Sequence, residues 1–201
     1  MKTIFKTAFI AVAMLCCIGM NAQEKPFILG LKAGANLSKL GGDPDGGAIP
    51  GFKVGGTLEI PLAWNSTFHI LTGVDYSFQG GKDHVYKLEA SYLQVPLHLG
   101  YRVGVWENEL IFVFHGGPYA GYALDAKWKY DGDRNAFDDK IKPLGKLKKF
   151  DCGLGIGLGA EFGKMRLDIG GDFGMIDISD SDHTIKNMNG YITIGYRFKG
   201  Y

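Results

Sequence analysis

The sequence is poor in cysteine and almost neutral. It has three cysteines in 201 residues, and its formal net charge is +1. Cys16 and Cys17 fall in an N-terminal segment with the features of a secretory signal, so removal of that segment leaves only Cys152 and no intrachain disulfide can form. A balanced charge argues against a nucleic-acid partner. We therefore expect an exported domain that is stabilised by something other than disulfides.

The N-terminal segment has Lys2 and Lys6, an apolar run over residues 8–18 and a small residue at Ala22. This order of features predicts a signal peptide over residues 1–22 and a mature domain over residues 23–201. The apolar run is too short for a stable transmembrane helix.

Glycine is abundant, at 31 of the 201 residues. In the stretch FDCGLGIGLGAEF, residues 150–162, apolar residues alternate with glycines or acidic residues. A period of two predicts a strand, because successive side chains leave a pleated backbone on opposite sides. The length suits a tilted strand that crosses a bilayer in roughly 9 to 11 residues. The stretch lacks both the G-x-G-x-x-G spacing and the following helix of a nucleotide-binding loop.

The same alternation recurs in seven other segments, which are residues 27–37, 52–60, 68–79, 93–103, 110–124, 166–175 and 190–198. Their connections alternate between long and short, as in outer-membrane barrels with short turns at one end and longer loops at the other. The sequence thus predicts an all-β fold, an eight-stranded antiparallel up-and-down transmembrane β-barrel. We expect residues 27–37 to pair with residues 190–198, because both would otherwise be bare edges in lipid. Pro96 and Pro118 lack an N–H and predict interruptions of the ladder.

Alternation alone leaves open which face is inside, and a soluble lipocalin-like barrel would turn its apolar face inward. An eight-stranded barrel has an interior just wide enough for side chains, so it cannot hold the many aromatic, leucine and isoleucine side chains of the apolar face. No charged residue falls on that face in the chosen registers, and a lipid-facing charge costs ~2 to 4 kcal/mol at mid-bilayer. The apolar face is therefore predicted to point toward lipid.

The opposite face combines glycine with a nearly balanced set of charges, and buried charges must be paired. We predict a closed salt-bridge network in a polar lumen, with a proton or ion path as the alternative. Its members are Lys32, Lys53, Glu59, Asp75, Arg102, Asp151, Glu161, Arg166, Asp168, Asp172 and Arg197. Three histidines, His69, His98 and His115, share this face, but nothing in their spacing predicts a metal site, a catalytic site or a cofactor.

Aromatic residues on the apolar face segregate toward the strand ends. Amphipathic rings prefer the two membrane interfaces, so these rows predict belts around an apolar band about 25 Å tall. The row at the end with the chain termini is Phe27, Trp64, Phe68, Tyr101, Trp106, Phe112, Phe162 and Phe198. The opposite row is Tyr76, Phe78, Tyr122 and Phe150.

Several segments have a pattern found in one known family. They are NAQ at the end of the signal, GLKAGANLS, YLQVPLHLGYR at residues 92–102, GGPYAGY at residues 116–122 and the terminal GYRF. Together they resemble the PorT-like outer-membrane β-barrel family of Gram-negative bacteria. The resemblance covers nearly the whole mature chain and implies a small barrel in the cell outer membrane. It implies no particular activity.

These observations predict a structural or interaction barrel that is not an enzyme and that uses its external loops as the contact surface. Expected partners are outer-membrane lipid and lipopolysaccharide, the barrel-assembly machinery and a protein bound through the loops, and we expect a monomer. Lysines that could meet lipopolysaccharide phosphates are Lys140, Lys142, Lys146, Lys148 and Lys149. The alternatives are an outer-membrane lipid-modifying enzyme and the soluble ligand-binding barrel.

Overall fold

The structure, a computed structural model, describes residues 27–41, 46–62, 67–82, 87–105, 110–129, 133–137, 147–179 and 185–198. Alternating apolar and small or polar residues form long strands across these segments. They are β1 (Ile28–Gly41), β2 (Ile49–Pro61), β3 (Phe68–Lys82), β4 (Lys87–Val105), β5 (Leu110–Lys129), β6 (Asp133–Asn135), β7 (Phe150–Phe162), β8 (Met165–Gly174) and β9 (Lys186–Arg197).

Eight of these strands form a closed antiparallel barrel. Each pairs with its neighbours in the order β4-β3-β2-β1-β9-β8-β7-β5, and β5 pairs back to β4. The three-residue β6 adds only to the end of β5. The predicted eight-stranded barrel is confirmed, and so is its closure, since Gly30 pairs with Arg197 and Gly41 with Lys186. The end with the chain termini and the β2–β3, β4–β5 and β7–β8 connections is called the turn end, and the opposite end the loop end.

The apolar face of the barrel points outward. Ile156 is 64% exposed, and leucine, isoleucine, phenylalanine and valine side chains are exposed on every barrel strand. The buried side chains of the same strands are mainly charged or polar. The soluble lipocalin-like alternative is therefore wrong, because it requires the reverse distribution. No helix among the described residues is long and apolar enough to cross a membrane.

The barrel ladder is interrupted beside both prolines. Between β3 and β4 the regular pairing is missing at Pro96, opposite Gly73, and between β4 and β5 it is missing at Pro118. Gly73 has a φ of 156°, and a Cβ there would lie 2.1 Å from the carbonyl oxygen of Gly56. Only glycine fits at this position, because the neighbouring backbone lies too close for a side chain. The residue opposite Pro96, where the regular pairing is lost, is therefore glycine.

The loop end is covered by a small hydrophobic cluster that sequence periodicity did not predict. Its buried members are Leu88, Ala90, Tyr92, Ala123, Ala126, Ala136, Leu147, Ile178 and Ile185. The β5–β7 connection joins the β8–β9 connection through a bridge between Leu147 and Ser179. We call this cluster the cap. It lies above the lumen and fixes the bases of the longer connections.

Candidate functional site

Three arginines and two glutamates form the part of the lumen nearest the turn end. Arg102 Nη2 lies 3.1 Å from Glu161 Oε1, and the same guanidinium contacts Glu59. Arg166 Nη1 is 3.6 Å from Glu59 Oε1 and 3.7 Å from Glu161 Oε1. Arg197 contacts Glu161. Both glutamates are only 2% exposed, so their charges are balanced by arginines rather than by water. This group is called the arginine cluster.

Two lysines and two aspartates occupy the middle of the lumen. Lys32 Nζ lies 2.9 Å from Asp75 Oδ2, and Lys53 Nζ lies 2.8 Å from Asp172 Oδ2 and 3.8 Å from Asp75 Oδ2. Lys53 also sits over the ring of Tyr191, 4.3 Å from its centroid. Each lysine thus has a carboxylate partner, and Lys53 joins strands β2, β3 and β8.

The histidines at positions 98 and 115 come together between these two groups. Their Nδ1 atoms are 2.9 Å apart. His115 Nε2 is 2.7 Å from Asp168 Oδ1, and Asp168 contacts Arg166. The third lumen histidine, His69, is fully buried elsewhere. The spacing of the histidines in the sequence did not predict that two of them would meet.

Asp151 differs from the other predicted lumen charges. It is 0% exposed, and its partners are the hydroxyl of Tyr119 at 3.1 Å and the side-chain amide of Asn187 at 3.5 Å. The prediction grouped it with the cations, but it lies among neutral polar side chains below the cap. The reason is its place on β7, where it faces inward near the loop end, while the arginines face inward near the turn end.

Some free space remains between the charged groups of the lumen. An internal cavity of about 70 Å³ lies between the lysine and arginine groups and is lined by both histidines, Asp168 and Asp172 among others. A water molecule in the liquid occupies about 30 Å³, so the cavity has room for roughly two.

The aromatic residues predicted for the turn end face outward where the structure describes them. Phe27, Phe68, Tyr101, Phe162 and Phe198 are exposed and Phe112 is partly exposed. The rings of Phe68 and Tyr101 are 5.0 Å apart at their centroids. Trp64 and Trp106 lie outside the described residues. The belts remain a prediction about where these rings lie in the membrane.

The outside of the loop end is rich in lysine. Exposed lysines of this region in the described residues are Lys39, Lys82, Lys127, Lys129, Lys148, Lys149 and Lys186, and Lys87 is partly exposed; the acidic residues of the described part of the same region are Glu89, Asp125, Asp133 and Asp177. We call these lysines the lysine rim. Of the lysines predicted for the long loop, Lys140, Lys142 and Lys146 lie outside the described residues.

Two carboxylates at the loop end, Glu89 and Asp177, accept hydrogen bonds from neighbouring groups. Glu89 lies 2.6 Å from Lys87 Nζ and 2.9 Å from Lys129 Nζ, and the hydrogen bonds from these lysines hold its pKa below the usual value. Asp177 Oδ1 accepts the backbone N–H groups of Ser179 at 3.0 Å and Ile185 at 2.9 Å. Burial raises the pKa of Asp177, but these backbone hydrogen bonds outweigh it and lower the pKa overall.

Sequence reasoning missed the polar side chains that bond to the lumen charges. Tyr191 and Asn189 on β9 face inward, and the Asn189 amide donates to Asp172 at 3.3 Å. The alternation could have predicted their inward orientation, because both residues are an even number of positions from Thr193 and Arg197, which face inward. The meeting of the two histidines had no such signal, since it depends on the register between β4 and β5.

The chain matches one protein family over most of its length. Residues 21–180 match the family described as outer membrane protein beta-barrel domain. No curated protein sequence matches the chain.

Several solved bacterial structures are similar to the chain. Neisserial surface protein A is 13% identical with a TM-score of 0.50, covering 85% of this chain and 97% of its own. Ail, the attachment invasion locus protein of Yersinia pestis, is 14% identical with a TM-score of 0.47, covering 87% and 100%. OprG from Pseudomonas aeruginosa is 12% identical with a TM-score of 0.44, covering 89% and 99%. At these identities the likeness concerns the fold alone.

Proposed function

The chain belongs to the outer membrane protein beta-barrel domain family, and from this premise we propose that it is a non-enzymatic barrel that binds anionic partners through the lysine rim of its loop end. As a member of this family it is a small barrel of the cell outer membrane. The observation that carries the proposal is a lysine-rich surface mounted on the cap, whose buried cluster fixes the bases of the connections.

The lumen offers no wide path for solutes, which supports a role for the outer surface instead. Arginines, lysines and carboxylates from both sides of the barrel meet across the lumen, as in the contact of Arg102 with Glu161 and of Lys53 with Asp172. Opening a path would separate buried charges from their partners, which costs several kcal/mol per ion pair, on the order of 3 to 5.

The positions of the cysteine and the histidines argue against the alternative of a lipid-modifying enzyme. The one described cysteine, Cys152, is on the outward face of β7, whereas His98 and His115 face the lumen. A thiol nucleophile and an imidazole base must lie within hydrogen-bond reach of each other. The barrel wall separates this thiol from the histidines, so they do not form such a pair.

Phosphorylated lipid of the outer leaflet is the partner that fits the lysine rim. Lysine ammonium groups bind phosphate as point charges, and rim lysines such as Lys39 and Lys186 stand beside the outward apolar residues Leu37 and Met188. Headgroup phosphates would therefore contact the rim lysines, and the acyl chains would contact the adjacent apolar side chains. Lipopolysaccharide combines both features, and we propose it as the ligand.

Finer assignments accompany this proposal. We infer membership of the PorT-like group from YLQVPLHLGYR and GGPYAGY, an N-terminal signal peptide over residues 1–22, insertion by the barrel-assembly machinery, a monomeric state and a further protein partner at the loops. The closed ladder between β1 and β9 supports the monomer, because it leaves no strand edge for a second chain.

Titration of the full mature barrel in neutral-lipid nanodiscs with purified lipopolysaccharide tests the proposal. We expect saturable binding that weakens as salt rises, because salt screens exposed charges. Replacing Lys87, Lys129, Lys148 and Lys149 by alanine together should weaken binding at least tenfold. Lys164, an exposed lysine at the turn end, provides the matched control, and Lys164→Ala should leave binding unchanged. Equal affinity of the fourfold variant and the control would refute the proposed surface.

A further inference from the structure

A groove on the lipid-facing surface of the barrel begins at the lysine rim. It has a volume of about 950 Å³ and is lined by residues of six neighbouring strands, β4, β5, β7, β8, β9 and β1. Lys39, an exposed lysine of the rim, lines the groove on β1. One row of register partners forms its floor, and the members are Leu99, Gly116, Ile156, Gly171, Gly190 and Leu37.

The fold of the barrel does not itself require glycine at the two adjacent floor positions, Gly171 and Gly190. A Cβ at Gly190 would lie 3.9 Å from its nearest neighbour, and one at Gly171 would need only a small shift of the Phe173 ring, 3.3 Å away. Neither glycine has a positive φ. On the inward face, by contrast, a Cβ at Gly153 would lie 2.0 Å from a backbone oxygen. The missing side chains at the floor therefore leave room for something outside the chain.

The groove has the inclination and depth of one leaflet of a bilayer. Its floor crosses five gaps between strands, about 24 Å at roughly 4.8 Å a gap. Barrel strands tilt by about 35 to 45°, so a row across them is inclined to the membrane plane by the same angle. The floor thus changes depth by about 15 Å, half of the roughly 30 Å hydrocarbon core. Leu37 is at the shallow end, four residues before β1 ends at Gly41, and Leu99 is twelve residues into β4, which begins at Lys87.

The width of the groove favours a single hydrocarbon chain. Its walls are the residues two positions to either side of the floor, such as Ile169 and Phe173 around Gly171. Their backbones are about 13 Å apart, and their side chains narrow the opening below the ~10 to 12 Å diameter of a helix. The closed ladder offers no edge to a further strand. Lys39 at the shallow end supplies a cation for a lipid phosphate.

We propose that one acyl chain of lipopolysaccharide lies in this groove while a phosphate of the same molecule binds Lys39. This site rests on the proposed function of the lysine rim and extends it onto the lipid-facing surface. In lipid, no hydrophobic force favours one apolar chain over another, so the groove selects through packing contacts. Binding of the phosphate at Lys39 raises the local concentration of the attached acyl chain at the groove.

The test compares intact lipopolysaccharide with its fully deacylated form, which keeps the phosphates, on the full mature barrel in neutral-lipid nanodiscs. Gly171→Leu with Gly190→Leu fills the groove and should weaken binding of the intact form about tenfold, because the leucines exclude the acyl chain from its contacts. Binding of the deacylated form should stay unchanged. Gly56→Leu is the matched control and should change neither, since Gly56 shares the outward parity of Val54 and an added Cβ there meets nothing closer than 4.0 Å.

A second measurement uses the unaltered barrel and so does not depend on folding of the filled variant. In deuterated nanodisc lipid with one equivalent of protonated lipopolysaccharide, nuclear Overhauser contacts from its acyl chains should reach the methyl groups of Ile156. They should not reach those of Leu31, which is exposed beside Gly56 on the opposite part of the wall.

The outcomes separate the groove from the rim. Unchanged affinity of the filled variant for the intact form, or equal contacts at Ile156 and Leu31, would overturn the groove site and leave the lysine rim standing. Failure of the unaltered barrel to bind either form would overturn both. A dimer of barrels that the filled variant separates would assign the groove to a second copy of the chain and would also overturn the proposal.

Discussion

Replacing Arg102 by methionine tests whether the arginine cluster stabilises the barrel. Arg102 contacts both Glu59 and Glu161, with Nη2 3.1 Å and Nε 3.2 Å from the oxygens of Glu161. Its loss leaves two carboxylates, each 2% exposed, with only Arg166 and Arg197 as cations. Removing one partner of a buried ion pair costs about 3 to 5 kcal/mol. We expect a loss of that size in the free energy of unfolding.

Adding Glu161→Gln to Arg102→Met should restore part of the lost stability, because it removes one of the carboxylates that the first change left short of a partner. Coupling between contacting groups is typically about 0.5 to 3 kcal/mol. The assay is urea unfolding of the barrel in lipid vesicles, followed by far-UV circular dichroism. Lys164→Met, at an exposed site, is the control and should stay within about 0.5 kcal/mol. Simple additivity of the two lumen changes would refute the network.

Three further outcomes follow from the geometry. Ile156→Arg on the lipid-facing surface should lower the free energy of unfolding by ~2 to 4 kcal/mol in the same assay. Phe162→Arg near the turn end should lower it by only ~0 to 1 kcal/mol, and equal losses would contradict the predicted membrane position. Gly73→Ala places a Cβ 2.1 Å from the Gly56 oxygen and should sharply reduce the yield of folded barrel on refolding, while normal yield would mean that the backbone there can shift. Because the folded pKa of Asp177 is lowered, its stabilisation is present above the usual aspartate pKa and is lost as the pH falls below about 4. Hydrogen-exchange protection of the Ser179 and Ile185 amides, corrected for the pH dependence of intrinsic exchange, should then fall, and Asp177→Ala should show low protection at every pH.

The sequence was enough to predict the barrel because one physical rule acts on every strand. In lipid, side chains of one parity must be apolar, so the FDCGLGIGLGAEF stretch predicts both a strand and the face that points outward. The same rule predicted that Lys53 and Asp172 face the lumen. The rule did not predict which charged side chains form ion pairs, because the partners depend on the strand registers around the closed barrel. Asp151 and Arg102 share the inward parity but lie near opposite ends.

The cap and the histidine pair escaped prediction for different reasons. The cap joins Leu88, Leu147 and Ile178 from three separate segments, and the alternation ends before the latter two. The pairing of His98 with His115 requires a skewed contact between β4 and β5 beside Pro118, where the regular register is interrupted. Local periodicity carries no information about such contacts between strands.

A closed lumen is the central claim of this account, and single-channel recording tests it most directly. Purified monomeric barrel is inserted into planar bilayers, and the current is followed across a range of voltages. The contacts of Arg102, Arg166 and Arg197 with lumen carboxylates predict no large, steady channel. Arg102→Met should raise the frequency of brief openings, since it removes a member of the arginine cluster. Persistent porin-scale currents from the unaltered monomer would contradict the closed lumen.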